Sequence, residues 1–240
     1  MSGVVIAETV RRHVTSVWYG GFVALVGIIA LGAAGFDRPG MGWPSLAALL
    51  AFVAGCVPIG PEFSSGTLQL ILTKPINRSV YLVSRVAGVV CAVWIATLFA
   101  FLCELLGRLL WAGDLRLATL SATLLHSAAD TILICALLAF FGSFTRAYFN
   151  IAIYFALMAG VSIMQGMLAM IRSSRSAFGA WLQEHPMVER TLAVVERNLF
   201  PEVLPRFDRD LLLLVLSNAA VALVLACFLF REREVPYGAD

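Results

Sequence analysis

Four polar side chains stand inside otherwise apolar stretches of this sequence, and they are its candidates for chemistry. His126 and Asp130 are four residues apart, so a helix places them on one face, while Gln165 and Asn218 occupy later stretches. A histidine near a carboxylate can move protons, yet no nucleophile accompanies the pair and no H-E-x-x-H zinc motif is present. Polar groups buried in a membrane either line a polar interior or form a hydrogen-bonded cluster that packs helices, and both alternatives stay open here.

The composition requires a membrane around these residues. Of the 240 residues, 60% are hydrophobic and 13% are charged, and the mean hydropathy is +0.90, whereas soluble domains are roughly 45–50% apolar. The net charge of +2 and the lack of a basic run longer than Arg11-Arg12 argue against nucleic acid as a partner. All five cysteines fall in apolar stretches without metal-ligand spacing, so we expect neither a disulfide framework nor a metal or cofactor on this chain.

Long uncharged runs recur along the chain and predict an all-α integral membrane protein with one transmembrane domain over residues 1–240. A span needs about 20 mostly apolar residues. The predicted spans are residues 17–35, 45–60, 80–106, 117–144, 147–171 and 211–230. Near the end of the third span, Glu104 and Arg108 are spaced for an ion pair beside Trp111, an interfacial anchor.

Two further segments have helical periodicity outside these spans. Residues 2–16 place apolar and charged side chains on different faces, which fits either a short interfacial helix or an ordinary charged flank. Residues 172–210 form a charged insert between the last two spans, and within it apolar positions from Val188 to Leu199 recur at helical spacing after Pro186. We predict that this insert helix lies on the membrane surface.

The distribution of basic residues indicates the orientation. Six spans put both termini on one side of the membrane, and the two short loops on the opposite side carry only Arg38, Arg108 and Arg116. Because short loops near the first span dominate the positive-inside rule, we place both termini in the cytoplasm. The insert is then extracytoplasmic, and the chain is a multi-pass protein of the cytoplasmic (inner) membrane.

Residues 61–79, between the second and third spans, are named here the coupling segment. Ser64 or Ser65 can cap a short helix, and Pro75 ends it. The segment contains the pattern E-x-x-x-G-T-L-x-x-x-L-x-x-P-x-x-R, formed by Glu62, Gly66, Thr67, Leu68, Leu72, Pro75 and Arg78. This pattern, and its position after the second of six spans, resembles the membrane (permease) subunit of type 2 ATP-binding-cassette (ABC) exporters. Arg85 falls where members of that family often carry a basic residue.

The resemblance implies that the coupling segment docks on a separate ATPase subunit and passes its motion to the spans. The only lysine, Lys74, lies between Thr73 and Pro75, so the chain has no P-loop, and ATP and Mg²⁺ would be bound by the partner. The chain would then be no enzyme itself but an export permease that works as a homodimer or beside a similar permease. In that role His126, Asp130, Gln165 and Asn218 could line part of the export route.

Two other functions remain as alternatives. A non-transporting assembly or sensor subunit could use the same ATPase contact to move an extracytoplasmic partner docked on the insert. An intramembrane enzyme could use His126 and Asp130 for acid-base work, although His13 and His185 stand far from them in sequence. The transported substrate cannot be chosen from the sequence.

Overall fold

The computed structural model describes residues 2–35, 40, 42–56, 77–111, 116–145, 149–173, 187–201 and 203–232. These described residues form eight α-helices and no strand. The helices are α1 (Gly3–Val14), α2 (Val17–Ala33), α3 (Trp43–Gly55), α4 (Arg78–Trp111), α5 (Leu117–Phe144), α6 (Phe149–Ser173), α7 (Met187–Leu199) and α8 (Arg209–Glu232).

Length and hydropathy qualify four of these helices, α4, α5, α6 and α8, to cross a membrane. A fifth crossing follows if α1 and α2, bent by 71° at Thr15-Ser16, are taken together. Helix α3 has 13 described residues, about 20 Å at 1.5 Å per residue, which is shorter than the roughly 30 Å of hydrocarbon. The described part of the chain is thus a helical multi-pass membrane protein with four or five helices long enough to span, fewer than the six predicted.

The helices alternate in direction, which gives the bundle two distinct ends. Trp43, at the start of α3, bonds to Glu104 near the end of α4, so these two helices are antiparallel. Asn150, at the start of α6, lies against Leu138 near the end of α5. We call the end where α4 stops and α5 and α8 begin the insert end, and the end where α4 and α6 begin the coupling end.

Helix α5 lies at the centre of the bundle, enclosed by α3, α4 and α8. In its most apolar stretch 67% of the positions are buried, against 11% in α6. The largest buried cluster draws Leu133, Leu138, Val89, Val93 and Ala219 from α5, α4 and α8. Helix α6 therefore leaves most of its apolar surface outside the bundle, and α5 leaves little.

Helix α1 is docked on α4 near the coupling end. Thr15 donates to the carbonyl of Arg11, which closes α1 before the bend. Thr9 is buried and accepts a hydrogen bond from Arg85 Nη1 at 3.1 Å. Directly beside it, a Cβ added to Gly88 would lie 2.6 Å from the Thr9 Cβ. Of the two alternatives for residues 2–16, the structure shows a helix, Gly3–Val14, and the lack of a side chain at Gly88 lets it approach α4 this closely.

Replacing Gly88 by leucine is expected to destabilise the protein, because the new side chain must occupy the volume that Thr9 fills. Overpacking of this kind costs about 1–3 kcal/mol, and thermal unfolding in detergent measures it. Gly20→Leu in α2 is the matched control, since a Cβ at Gly20 meets nothing within 4 Å. Equal melting temperatures for the two variants would contradict the close approach of α1 to α4.

Candidate functional site

The four polar residues predicted to line an interior lie on three helices, and none of them bonds to another in the described structure. His126 and Asp130 are on α5, Gln165 is on α6 and Asn218 is on α8. Three of the four instead bind residues 196–208 of the insert. The main contact of these side chains is therefore with the insert.

His126 is buried and supports the chain where it enters α8. Its Nε2 lies 3.1 Å from the carbonyl oxygen of Arg206 and 3.3 Å from the backbone nitrogen of Asp208. One ring nitrogen can donate to the carbonyl or accept from the N–H, so each tautomer satisfies one of the two backbone groups. The histidine thus provides a partner for backbone that lies outside any helix.

Gln165 and Asn218 hold the C-terminal part of α7. Gln165 Nε2 donates to the carboxylate of Glu196. Asn218 Nδ2 donates to the carbonyl oxygen of Asn198 at 3.1 Å and to its side-chain oxygen at 2.9 Å. Asn218 is nine residues into α8, about 13 Å from its start, so the end of α7 lies well inside the depth of the bundle.

Phe200, which we call the tip of the insert, reaches deeper into the bundle than Asn198. Phe200, just after α7, packs edge-on against Tyr154 of α6 with ring centroids 5.1 Å apart, and Tyr154 in turn contacts Phe52 of α3 at 4.4 Å. Residues 187–199 form the helix predicted to start near Pro186, and its C-terminal end is packed into the bundle. The physical reason is the apolar run Leu199-Phe200, which is partly buried against the main core and draws the helix inward.

Asp130 is half-buried and lies one helical turn after His126 in α5. It has no hydrogen-bond partner among the described residues. Its carboxyl interacts electrostatically with Tyr154 and Cys135. Tyr154 is also the residue that Phe200 contacts. Asp130 thus lies close to the point that the tip of the insert reaches.

Asp208 caps the start of α8. Its Oδ1 accepts from the backbone N–H of Leu211 at 3.1 Å and of Asp210 at 3.0 Å, and these bonds, that of Leu211 first, hold the pKa of Asp208 below its usual range. Since the pKa is lowered in the folded state, the cap stabilises the start of α8 above the unfolded pKa. That contribution is lost as the pH falls through the lowered value.

A second polar cluster surrounds Glu104 at the insert end. Glu104 is fully buried, pairs with Arg108 at 2.9 Å and accepts from Trp43 Nε1 at 2.6 Å and from the backbone N–H of Gly40 at 3.0 Å. The predicted ion pair is confirmed and both of its members are buried in the protein, while Trp111 is exposed. The sequence signal that could have revealed this is Trp43, whose N–H needs a partner when buried.

Six of the seven motif residues of the coupling segment, Glu62, Gly66, Thr67, Leu68, Leu72 and Pro75, lie outside the described residues. The seventh, Arg78, is the first residue of α4. The described residues on either side of this gap are Cys56, whose carbonyl oxygen lies 3.4 Å from Nδ2 of Asn150, and Asn77, whose carbonyl oxygen accepts from the backbone N–H of Tyr81. Asn150 is buried and was not singled out in the sequence, because a single Asn at the start of a predicted span is also an ordinary helix-capping residue.

Neither a scan of family models nor a search of curated proteins finds a match to this chain. Within the described residues, no three His, Cys, Asp or Glu side chains come together to hold a metal ion. What the fold and the polar contacts define is a helical multi-pass membrane protein whose insert folds back into the bundle.

Replacing Asn218 by leucine is expected to loosen the insert without unfolding the bundle. The variant loses two hydrogen bonds to Asn198, each worth about 1 kcal/mol, so hydrogen exchange of the α7 amides should accelerate about thirtyfold. Mass spectrometry of the exchanging peptides reports this directly. Ser217→Ala is the control, because Ser217 bonds only to Leu214 within its own helix. Unchanged exchange in α7 would show that Asn218 does not hold the insert.

Proposed function

We propose that this protein is the permease subunit of an ABC exporter and that the coupling segment transmits the motion of a separate ATPase to the spans. The observation that carries the proposal is the sequence pattern from Glu62 to Arg78, which lies between α3 and α4 in the chain. ATP and Mg²⁺ belong to the partner. The proposed arrangement has six spans and both termini in the cytoplasm.

The positions of the flanking helices support this role. Helix α3 ends and α4 begins at the coupling end, where α1 also packs on α4 through the contact of Ser2 N with Ser84 Oγ at 2.9 Å. Asn150 ties Cys56, the last described residue before the coupling segment, to the start of α6. A displacement of the coupling segment would therefore reach α3, α4 and α6 through short, direct contacts.

The insert supplies the opposite part of the proposed mechanism. In this proposal it reaches into the bundle from the outer side, and its described residues contact the spans through a few side-chain hydrogen bonds, the contact of Phe200 with Tyr154 and the packing of Leu199 and Leu204 on the core. We propose that it acts as an outer gate, which these contacts keep closed and a shift of α6 releases. Asp130, His126, Gln165 and Asn218 would then line the route that opens.

The exposed surface of α6 supports a second copy as a partner. Phe155, Ile163 and Met167 are all exposed on this helix, while α5 is enclosed by its neighbours. A path for a sizeable substrate does not fit through the packed centre around α5. It fits between two copies that face each other through α6, and this is the homodimer we propose.

Charged residues in place of Gly66-Thr67-Leu68 are expected to abolish copurification with the cognate ATPase, because an apolar docking surface does not tolerate buried, unpaired charge. The measurement is pull-down of a co-expressed ATP-binding protein in detergent, together with thermal unfolding of the permease. Leu110→Glu, at the opposite end of α4 and exposed, is the control and should keep the partner.

Three results would count against the proposal. If no ATP-binding protein copurifies with the natural chain, the ABC assignment is lost. If the triple variant keeps its partner, the coupling role of residues 61–79 is wrong. If the complex hydrolyses ATP normally when the insert is removed but only the binding of an extracytoplasmic protein disappears, the chain is an assembly or sensor subunit.

Cysteine cross-linking tests the second copy. In a chain whose natural cysteines are replaced by alanine, Ile163→Cys on α6 should form a disulfide-linked dimer in membranes on mild oxidation. Val221→Cys on α8 is equally exposed and serves as the control, 59% against 60%. Equal dimer yields from the two sites, or none from Ile163→Cys, would rule out an interface through α6.

A further inference from the structure

Tyr154 of α6 contacts two aromatic rings that belong to different parts of the protein. Its ring meets that of Phe52 of α3 at 4.4 Å between centroids and that of Phe200, the tip of the insert, at 5.1 Å, both edge-on. Among the described rings, Phe52 and Phe200 are not paired with each other. Tyr154 is buried, with 4% of its surface exposed, so its ring cannot turn away from one neighbour without disturbing the other.

The last turn of α3 touches α6 at a second point. Asn150 Nδ2 lies 3.4 Å from the carbonyl oxygen of Cys56. Phe52 and Cys56 are four positions apart in the chain, and so are Asn150 and Tyr154, which is about one helical turn in each case. Two contacts one turn apart resist rotation as well as sliding. The end of α3 and the start of α6 are therefore expected to move together.

The coupling segment follows this pair of contacts in the chain. The backbone N–H of Cys56 donates to the carbonyl oxygen of Phe52 at 3.1 Å and closes the last turn of α3. Pro61, where the coupling segment begins, comes a few residues after Cys56. A displacement of Cys56 is thus passed to Phe52 through a single hydrogen-bonded turn.

Helix α6 is lightly held by the core of the bundle. Only 11% of the positions in its most apolar stretch are buried, against 67% in α5. Asn150 shares its side-chain amide between Cys56 and the carbonyl oxygen of Leu138 in α5, and at 3.4 Å both contacts are long for hydrogen bonds. Further along α6, Gln165 donates to Glu196 of α7. Little core packing therefore opposes a movement of α6 together with the insert.

We propose that Tyr154 links the end of α3 to the insert, so that the hold of the bundle on the insert depends on the position of the last turn of α3. A shift of that turn moves the ring of Phe52, the ring of Tyr154 follows, and its contact with Phe200 changes with it. The inference rests on the gate of the proposed function for its use in transport, and it names the residue through which the coupling segment acts on that gate. The link itself is a property of this chain and is measured without an ATPase.

Hydrogen exchange of the full-length chain in nanodiscs tests the link by a double-mutant cycle. Phe52→Leu removes a ring that is not paired with Phe200, yet it should accelerate exchange in α7 about threefold, the change expected for the loss of one aromatic pair. The same substitution in a Tyr154→Leu chain should have no further effect, because the link is already absent. Only residues that share an interaction show such non-additivity.

Two further variants separate the ring of Tyr154 from other effects. Tyr154→Phe keeps the ring and loses only the hydroxyl, so α7 should exchange as in the natural chain. Phe140→Leu in α5 is the matched control, since Phe140 is half-buried like Phe52 and its ring contacts those of Phe141 and Phe144 in its own helix. This variant should leave exchange in α7 unchanged.

Four results would overturn the proposal. If Phe52→Leu leaves exchange in α7 unchanged, the end of α3 does not act on the insert. If the effects of Phe52→Leu and Tyr154→Leu add, the action does not pass through Tyr154. If Tyr154→Phe behaves like Tyr154→Leu, the ring is not the link, and if Phe140→Leu accelerates exchange equally, the loss of any ring loosens the bundle.

The link and the proposed function fail in different experiments. A chain with which no ATPase copurifies would lose the proposed function, while the mutant cycle, measured on the chain alone, would still give its result. An additive cycle in a chain that does bind an ATPase would remove the link through Tyr154 and leave the permease assignment in place.

Discussion

Backbone outside a helix cannot remain unbonded in hydrocarbon, and the polar residues inside this bundle satisfy that requirement. Water is absent there, so each free N–H or C=O would cost several kcal/mol. His126 meets the backbone of Arg206 and Asp208, and Asn218 meets the carbonyl of Asn198. Glu104 accepts from the N–H of Gly40 at the first loop, and Asn150 lies against the carbonyl of Cys56 at the coupling end. These four side chains differ in chemistry, but each lies against a backbone N–H or C=O group at or near the end of a helix.

The contacts in the bundle are of two kinds, the extensive apolar packing around α5 and the few contacts that hold the insert. Around α5 the contacts are broad and apolar, and separating those helices would expose a large area of closely packed surface. The described residues of the insert are held by a small number of hydrogen bonds, each contributing about 1 kcal/mol, by the contact of Phe200 with Tyr154 and by the packing of Leu199 and Leu204 against the core. Helix α8 packs broadly on α5, so of the two helices that hold the insert only α6 can shift while the core around α5 stays intact, which supports the proposed gate.

The sequence predicted the positions of the helices better than it predicted which side chains are buried between them. The fourth span, residues 117–144, coincides with α5, and the insert helix begins one residue after Pro186. The third span was predicted to end at 106, whereas α4 continues to Trp111. Glu104 and Arg108 resemble the edge of a span in sequence because they are charged, yet in the fold each neutralises the other and both are buried. The positions of charged residues in a sequence do not show which of them will form an ion pair in the fold.

The sequence by itself determined that the chain is a helical membrane protein, since no soluble fold can cover this much apolar surface, and it singled out the few polar residues that have to be satisfied within the bundle. Only the tertiary structure decided what satisfies them. Gln165, His126 and Asn218 are separated from their partners by about 20 to 80 positions in the chain, and periodicity gives no information over such separations. The inward path of the insert depends on the packing of Phe200 on Tyr154, which neither segment specifies alone.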